Sequence, residues 1–162
     1  RGKKFVNNEY FLLHAGDDIV ISNKNSHLSR LESCFKKYKA DIACLIETVE
    51  NPSQYGVVSG ELLEDGIIDI KKIEEKPKKP KSKNAVIAIY IFKPKIFNYL
   101  SQVKKKSSAQ NQLSDAFDMA LKKGDRMIGV ILNKNEKRID IGTPETYSKL
   151  LVSLKWKRKK FQ

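Results

Sequence analysis

The stretch DIACLIETV, Asp41 to Val49, decides the fold. It is almost continuously apolar. A strand covered on one face alternates apolar and polar residues, whereas a parallel strand covered on both faces does not. Upstream, between Ser26 and Tyr38, apolar residues fall at Leu28, Leu31, Phe35 and Tyr38, which is helical spacing. Further upstream, Tyr10-Phe11-Leu12-Leu13-His14 is a short apolar run that ends at Ala15-Gly16-Asp17-Asp18. It reads as a buried strand carrying carboxylates at its C-terminal end. Strand, helix and strand in this order form a βαβ unit, the building block of α/β proteins.

Downstream, the pattern becomes β-rich. Tyr55–Leu62 and Gly66–Glu75 read as strands joined by a turn at Glu64-Asp65-Gly66. Pro77 and Pro80 stop a strand from continuing into the lysine-rich loop Lys76–Lys83. Asn84–Phe92 is a further apolar strand. Lys93-Pro94 opens a helix through Val103, with proline suited to the first turn. Lys104 to Gln110 is polar and reads as a loop. Leu113, Phe117, Ala120 and Leu121 give a helix that stops at Gly124. Arg126–Leu132 is a strand, and another starts between Arg138 and Ile141. Thr143 as N-cap and Pro144 at the first position open the last helix.

A length of 162 residues fits one domain, and 40% hydrophobic residues supply a core. No run approaches the roughly 18 apolar residues of a membrane span, and no signal peptide opens the chain at Arg1. Cys34 and Cys44 lack metal or redox spacing. They read as reduced core residues, and a cytoplasmic setting is expected. The net charge of +13 raises nucleic-acid binding as a reading. The charge is concentrated in seven lysines from Lys71 to Lys83 and five basic residues from Lys155 to Lys160. Lysine predominates over arginine, the better reader of base edges, and no zinc-finger, helix-turn-helix or RNA-binding aromatic motif occurs. A solvated face is the plainer reading, so a dedicated nucleic-acid partner is not expected.

The residues that could do chemistry are few. The glycines form neither GxGxxG nor GxxxxGK. His14 and His27 read as core or surface residues. Carboxylates placed after strands remain: Asp17, Asp18 and Asp140. Ligands of open α/β sheets gather at strand ends, and Mg²⁺ takes one or two protein carboxylates together with phosphate oxygens. In Glu74-Glu75-Lys76-Pro77, a carboxylate could accept from sugar hydroxyls and an ammonium could neutralise a phosphate. Each of these features alone is also compatible with an ordinary charged turn or strand end.

Their order is more specific. GDD, YGVV, EEKP, an apolar strand ending in tyrosine, QLSDA and DIGTPETY follow one another from about Phe5 to Leu151. This arrangement resembles the sugar-1-phosphate nucleotidyltransferase family, which includes glucose-1-phosphate thymidylyl- and uridylyltransferases and mannose-1-phosphate guanylyltransferases. The resemblance implies an α/β fold with a Rossmann-like mixed, mainly parallel sheet flanked by helices. It implies transfer of a nucleotidyl group from an NTP, dTTP or UTP favoured, to a hexose-1-phosphate, with Mg²⁺ as cofactor and pyrophosphate as product. It assigns Asp17 and Asp140 to the metal, Gly56 and Tyr55 to the sugar subsite, Glu75 to the sugar hydroxyls and Lys76 to the sugar phosphate. The expected catalytic residues are thus Lys76, Asp17 and Asp140.

Three departures accompany the resemblance. The GxGTR-type loop and later PK motif that precede the first metal aspartate in the family are absent. Ala109-Gln110 stands where the family has Gly-Glu, and Ala88 where it has glycine. The chain is therefore expected to be a single incomplete nucleotidyltransferase domain, 1–162, lacking the NTP-binding segment and ending in a basic tail, 155–162. The expected partners are an NTP, a sugar-1-phosphate, and either a homo-oligomer or the missing N-terminal segment, with no membrane partner. Alone it should turn over little. A degenerate, non-catalytic binding or assembly module is the alternative reading, and a basic nucleic-acid binder is a third.

Overall fold

The computed structural model describes residues 2–103 and 113–158, with side chains through 152. The loop at Lys104–Gln110, including Ala109-Gln110, lies outside the described residues, as does the end of the basic tail at 159–162. In chain order the elements are helix α1 (Gly2–Val6), strands β1 (Phe11–His14) and β2 (Asp18–Ile21), helix α2 (Ser26–Lys37) and strands β3 (Ile42–Thr48), β4 (Gly56–Glu64), β5 (Ile67–Glu75) and β6 (Asn84–Phe92). Helices α3 (Ile96–Gln102) and α4 (Leu113–Lys122), strands β7 (Met127–Ile131) and β8 (Lys137–Asp140), and helix α5 (Pro144–Arg158) complete the chain.

Six strands form one sheet in the order β1-β6-β3-β7-β5-β4, and β2 pairs with β8 in a separate ribbon. The βαβ expectation holds: β1 and β3 run in the same direction, with β6 antiparallel to both. The expectation of a mainly parallel sheet needs correction. Among the described pairings only β3–β7 is parallel, while β1–β6, β3–β6, β4–β5, β4–β6 and β5–β7 are antiparallel. The cause is the connections. The β4–β5 turn at Asp65-Gly66 is a hairpin, with Gly66 at φ +73°, which glycine adopts freely. β6 then returns between two strands that run against it. The sheet is a mixed α/β sheet, as expected, but not a mainly parallel one.

The DIACLIETV strand is covered on both faces. Ile42, Cys44 and Ile46 join Tyr90, Phe92, Phe117 and Met127 in the cluster beneath α3 and α4. Ala43 and Leu45 join Leu31 and Phe35 of α2 on the other side. Residues 42–46 are at most 2% exposed, which is why the sequence shows no alternation there.

Two local differences from the sequence reading have identifiable causes. Helix α3 begins at Ile96 rather than straight after Lys93-Pro94. Lys93 is tied to the sheet: its N–H donates to the Asp41 carbonyl and its ammonium pairs with the Asp41 carboxylate, both at 2.9 Å. Pro94 and Lys95 make the turn that follows. Strand β2 has no counterpart in the sequence reading, which assigns no element to Asp18–Ile21. It exists because β8 pairs with it, placing Asp18 opposite Asp140.

The loop between β7 and β8 is fixed by Glu136, whose side chain is fully buried. It accepts from Arg30 Nη2 at 2.9 Å, Ser26 Oγ at 3.1 Å and the Asn133 N–H at 2.8 Å. Arg30 also donates to the Ile131 carbonyl at 2.9 Å. This latch onto α2 sets where β8 begins, and so where Asp140 ends up.

Candidate functional site

β1 ends at His14, the chain turns through Asp17, and β8 brings Asp140 to the same place. The Ile141 N–H donates to the Asp17 carbonyl at 2.8 Å. A Cβ built on Gly142 would lie 3.1 Å from Asp17 Oδ2 and 3.2 Å from Asp140 Oδ1. The two carboxylates thus face one small space that is kept open by the missing side chain. Asp140 Oδ1 also accepts the Gly142 N–H at 2.9 Å. Thr143 caps α5, accepting the Thr146 N–H at 3.2 Å, and so fixes the backbone after Gly142.

Asp18 does different work. It is 6% exposed, and its Oδ2 accepts the Ala88 N–H at 2.9 Å. Its Oδ1 receives Arg138 Nε at 2.5 Å. His14 Nε2 donates to the Asp18 carbonyl at 2.5 Å. Arg138 reaches two further carboxylates, Asp140 Oδ2 at 3.3 Å and Glu47 Oε2 at 3.4 Å, and its guanidinium lies 5.2 Å from the Tyr55 ring centroid. Burial opposes its charge, but Asp18, Asp140 and Glu47 more than offset this and raise its pKa.

The sugar-side candidates adjoin this cluster. Gly56 and Glu75 are register partners, and a Cβ on Gly56 would meet Glu75 Oε2 at 3.3 Å. Lys76 donates its backbone N–H to the Tyr55 carbonyl at 3.0 Å and holds a left-handed φ of +43°. That conformation is costly for a side-chain-bearing residue. Its ammonium forms no ion pair among the described residues. The buried Tyr90 phenol has its pKa raised first by burial, with the fields of Asp18 and Glu75 adding to the effect.

The structure thus brings Asp17 and Asp140 together, and Arg138 links Asp140 to Tyr55, next to which lie Gly56, Glu75 and Lys76. The sequence reading passed over Arg138 and Glu47. Arg138 was legible: two residues before Asp140 on one strand, its side chain lies on the same face. Glu47 carried only the weak signal of a carboxylate near the end of β3. Neither histidine belongs to a group of three or more potential metal ligands among the described residues. His27 is 2% exposed, with Nδ1 2.6 Å from Ser22 Oγ, and burial lowers its pKa.

A model of the Nucleotidyl transferase family matches residues 1–155. The chain belongs to this family. Among nucleotidyl transferases it is similar to a Bacillus subtilis (strain 168) protein named, provisionally, as a UTP–glucose-1-phosphate uridylyltransferase. The two are 35% identical over 155 residues, covering 94% of this chain and 56% of that protein. A Mycoplasma pneumoniae UTP–glucose-1-phosphate uridylyltransferase is 30% identical, covering 91% of this chain and 51% of its own length. A solved UDP-glucose pyrophosphorylase complexed with UDP-glucose superimposes with a TM-score of 0.85 at 35% identity, over 96% of this chain and 60% of that one. The chain spans about half the length of the relatives it matches.

Proposed function

We propose that this chain supplies the sugar-phosphate and divalent-cation side of nucleotidyl transfer from an NTP to a hexose-1-phosphate, giving an NDP-sugar and pyrophosphate. The relatives' names favour UTP and glucose-1-phosphate. The observation that carries the reading is the pair Asp17 and Asp140 facing one open space across Gly142, beside Glu75 and Lys76. The donor set fits Mg²⁺, because the two side chains that face this space offer carboxylate oxygen. Magnesium takes few protein ligands and completes its shell with water and phosphate.

The sugar phosphate is already a nucleophile at neutral pH, so no strong general base is required. The residues of this chain align and neutralise. Asp17 and Asp140 hold the ion, Lys76 meets the sugar phosphate, and Glu75 accepts from sugar hydroxyls. Gly56 lets the backbone approach the ring beside Tyr55. When bound, Mg²⁺ supplies Lewis-acid neutralisation of phosphate oxygens.

The test is pyrophosphate release from UTP, dTTP or GTP with glucose-1-phosphate or mannose-1-phosphate. The chain should be fused to the upstream segment of the Bacillus subtilis relative. Turnover that Asp140→Asn lowers by orders of magnitude supports the reading. A folded fusion inactive on every pair of substrates favours a non-catalytic homologue, a reading to which Ala88 in the family's glycine position also points.

A further inference from the structure

We infer that Arg138 is a built-in counter-cation of the Asp17–Asp140 pair, so that the chain alone holds a divalent ion weakly and gains it together with substrate phosphates. The inference rests on the reading that this pair is the metal site.

The geometry is specific. The Arg138 side chain is 7% exposed, so water screens its charge poorly. It is shared among Asp18, Asp140 and Glu47. The two oxygens of Asp140 are divided between two tasks. Oδ2 faces the guanidinium at 3.3 Å, while Oδ1 accepts the Gly142 N–H and faces Asp17. An ion in the space before Gly142 would therefore meet a carboxylate already partly neutralised from behind. It would also lie across Asp140 from a guanidinium whose charge Asp18 and Glu47 offset only in part. At the effective dielectric of a partly buried site, such repulsion lowers divalent-ion affinity by about tenfold or more. Asp18 cannot make up the loss, because both its oxygens are engaged by Arg138 and the Ala88 N–H. Triphosphate and sugar-phosphate oxygens bring the missing negative charge, which makes metal and substrate binding mutually reinforcing.

Arg138 would act here through Asp140 as a positioning residue, and the sign of its effect separates this role from a structural one. If Arg138 only held the fold together, removing it would loosen Asp140 and weaken metal binding. As a counter-cation, its removal strengthens binding. The experiment is Mn²⁺ titration of the 162-residue chain, followed by electron paramagnetic resonance of free Mn²⁺, with circular dichroism melts to confirm folding. The variants are Asp18→Asn/Arg138→Gln, which exchanges the buried ion pair for a neutral one, Arg138→Gln alone, and Arg138→Lys. Arg138→Gln alone, which removes one positive charge, should bind Mn²⁺ about tenfold more tightly than the parent chain, while the double variant, which removes one charge of each sign, and Arg138→Lys should stay near it. Equal or weaker binding by Arg138→Gln overturns the inference, the titration being run in a stabilising osmolyte where that variant melts early. Asp17→Asn and Asp140→Asn provide the separate control. If neither lowers the Mn²⁺ affinity of Asp18→Asn/Arg138→Gln, the metal-pair reading itself falls.

Discussion

Gly142 shows how much one absent side chain can matter. The space a methyl group would fill there is the space that Asp17 Oδ2 and Asp140 Oδ1 share, and Gly142 itself is exposed. Gly142→Ala is therefore expected to weaken Mn²⁺ binding by about tenfold or more, while stability changes by only about 0.5 kcal/mol. Calorimetric titration beside a thermal melt checks both, and undiminished affinity would place the ion elsewhere. Asp18 behaves differently although it is the neighbour of Asp17 in sequence. Arg138→Met would leave it buried without its partner, at a cost of about 3–5 kcal/mol, readable as a shift in the urea midpoint. The motifs single out Asp17, Asp140, Glu75 and Lys76 as candidates, and the structure places Asp17 and Asp140 around one space. The sequence could not say which aspartate of the Asp17-Asp18 pair is buried, because that depends on Ala88 and Arg138, which lie 70 and 120 positions away.

The β4–β5 ribbon carries its own strain point. Its register shifts between Ser59 and Gly60, and a Cβ on Gly60 would collide with the Asp69 carbonyl, which is backbone and cannot swing aside. Gly60→Ala should cost about 1–3 kcal/mol, measured by thermal unfolding, and should displace the ribbon end that bears Gly56 and Glu75. The start of β3 is held by another device. Asp41 accepts the Arg126 N–H and pairs with Lys93 and Lys95, joining β3, β7 and the approach to α3. Burial opposes its ionisation, yet these partners prevail and its pKa is lowered in the folded chain. The unfolded state thus binds the proton more readily. The stabilisation is present above an unfolded carboxylate pKa of about 3.9 and is lost as pH falls toward the lower folded value. Urea unfolding between pH 2 and 6 should show this loss, and Asp41→Asn should remove that component of the slope. Long apolar elements such as β3, β6 and α2 were legible because burial on one or both faces writes a period into the sequence. The β2–β8 ribbon was not, because four residues paired with four others more than a hundred positions away leave no local pattern. The sheet's predominantly antiparallel pairing was hidden for the same reason: a run of apolar residues specifies burial but not the direction of its neighbours.

At the scale of the whole molecule, the charge of +13 and the catalytic reading meet different tests. The lysines at 76, 78, 79, 81 and 83 are exposed, and Lys83 pairs with Glu50. Any affinity for nucleic acid should be loose and collapse between 50 and 200 mM salt, the mark of backbone attraction without base reading. Micromolar binding that survives physiological salt and is abolished by charge reversal at Lys78, Lys79 and Lys81 would restore the nucleic-acid reading. On the proposed reading the 162-residue chain alone should release no pyrophosphate, since the several charges of a triphosphate would be met only by Lys76 and an ion between Asp17 and Asp140. Addition of the relative's upstream segment in trans should raise turnover if the two halves dock. No helix of the described residues is long and apolar enough to cross a membrane. Cys44 offers a view of the molecule as a timepiece. It lies mid-way along β3 at 0% exposure, and burial pushes its thiol pKa up to about 12. An alkylating reagent needs both access and a thiolate, so Cys44 should react only in molecules that have opened completely. Its labelling rate then counts global openings, while Cys34, at 9% exposure on α2, records the smaller excursions that precede them.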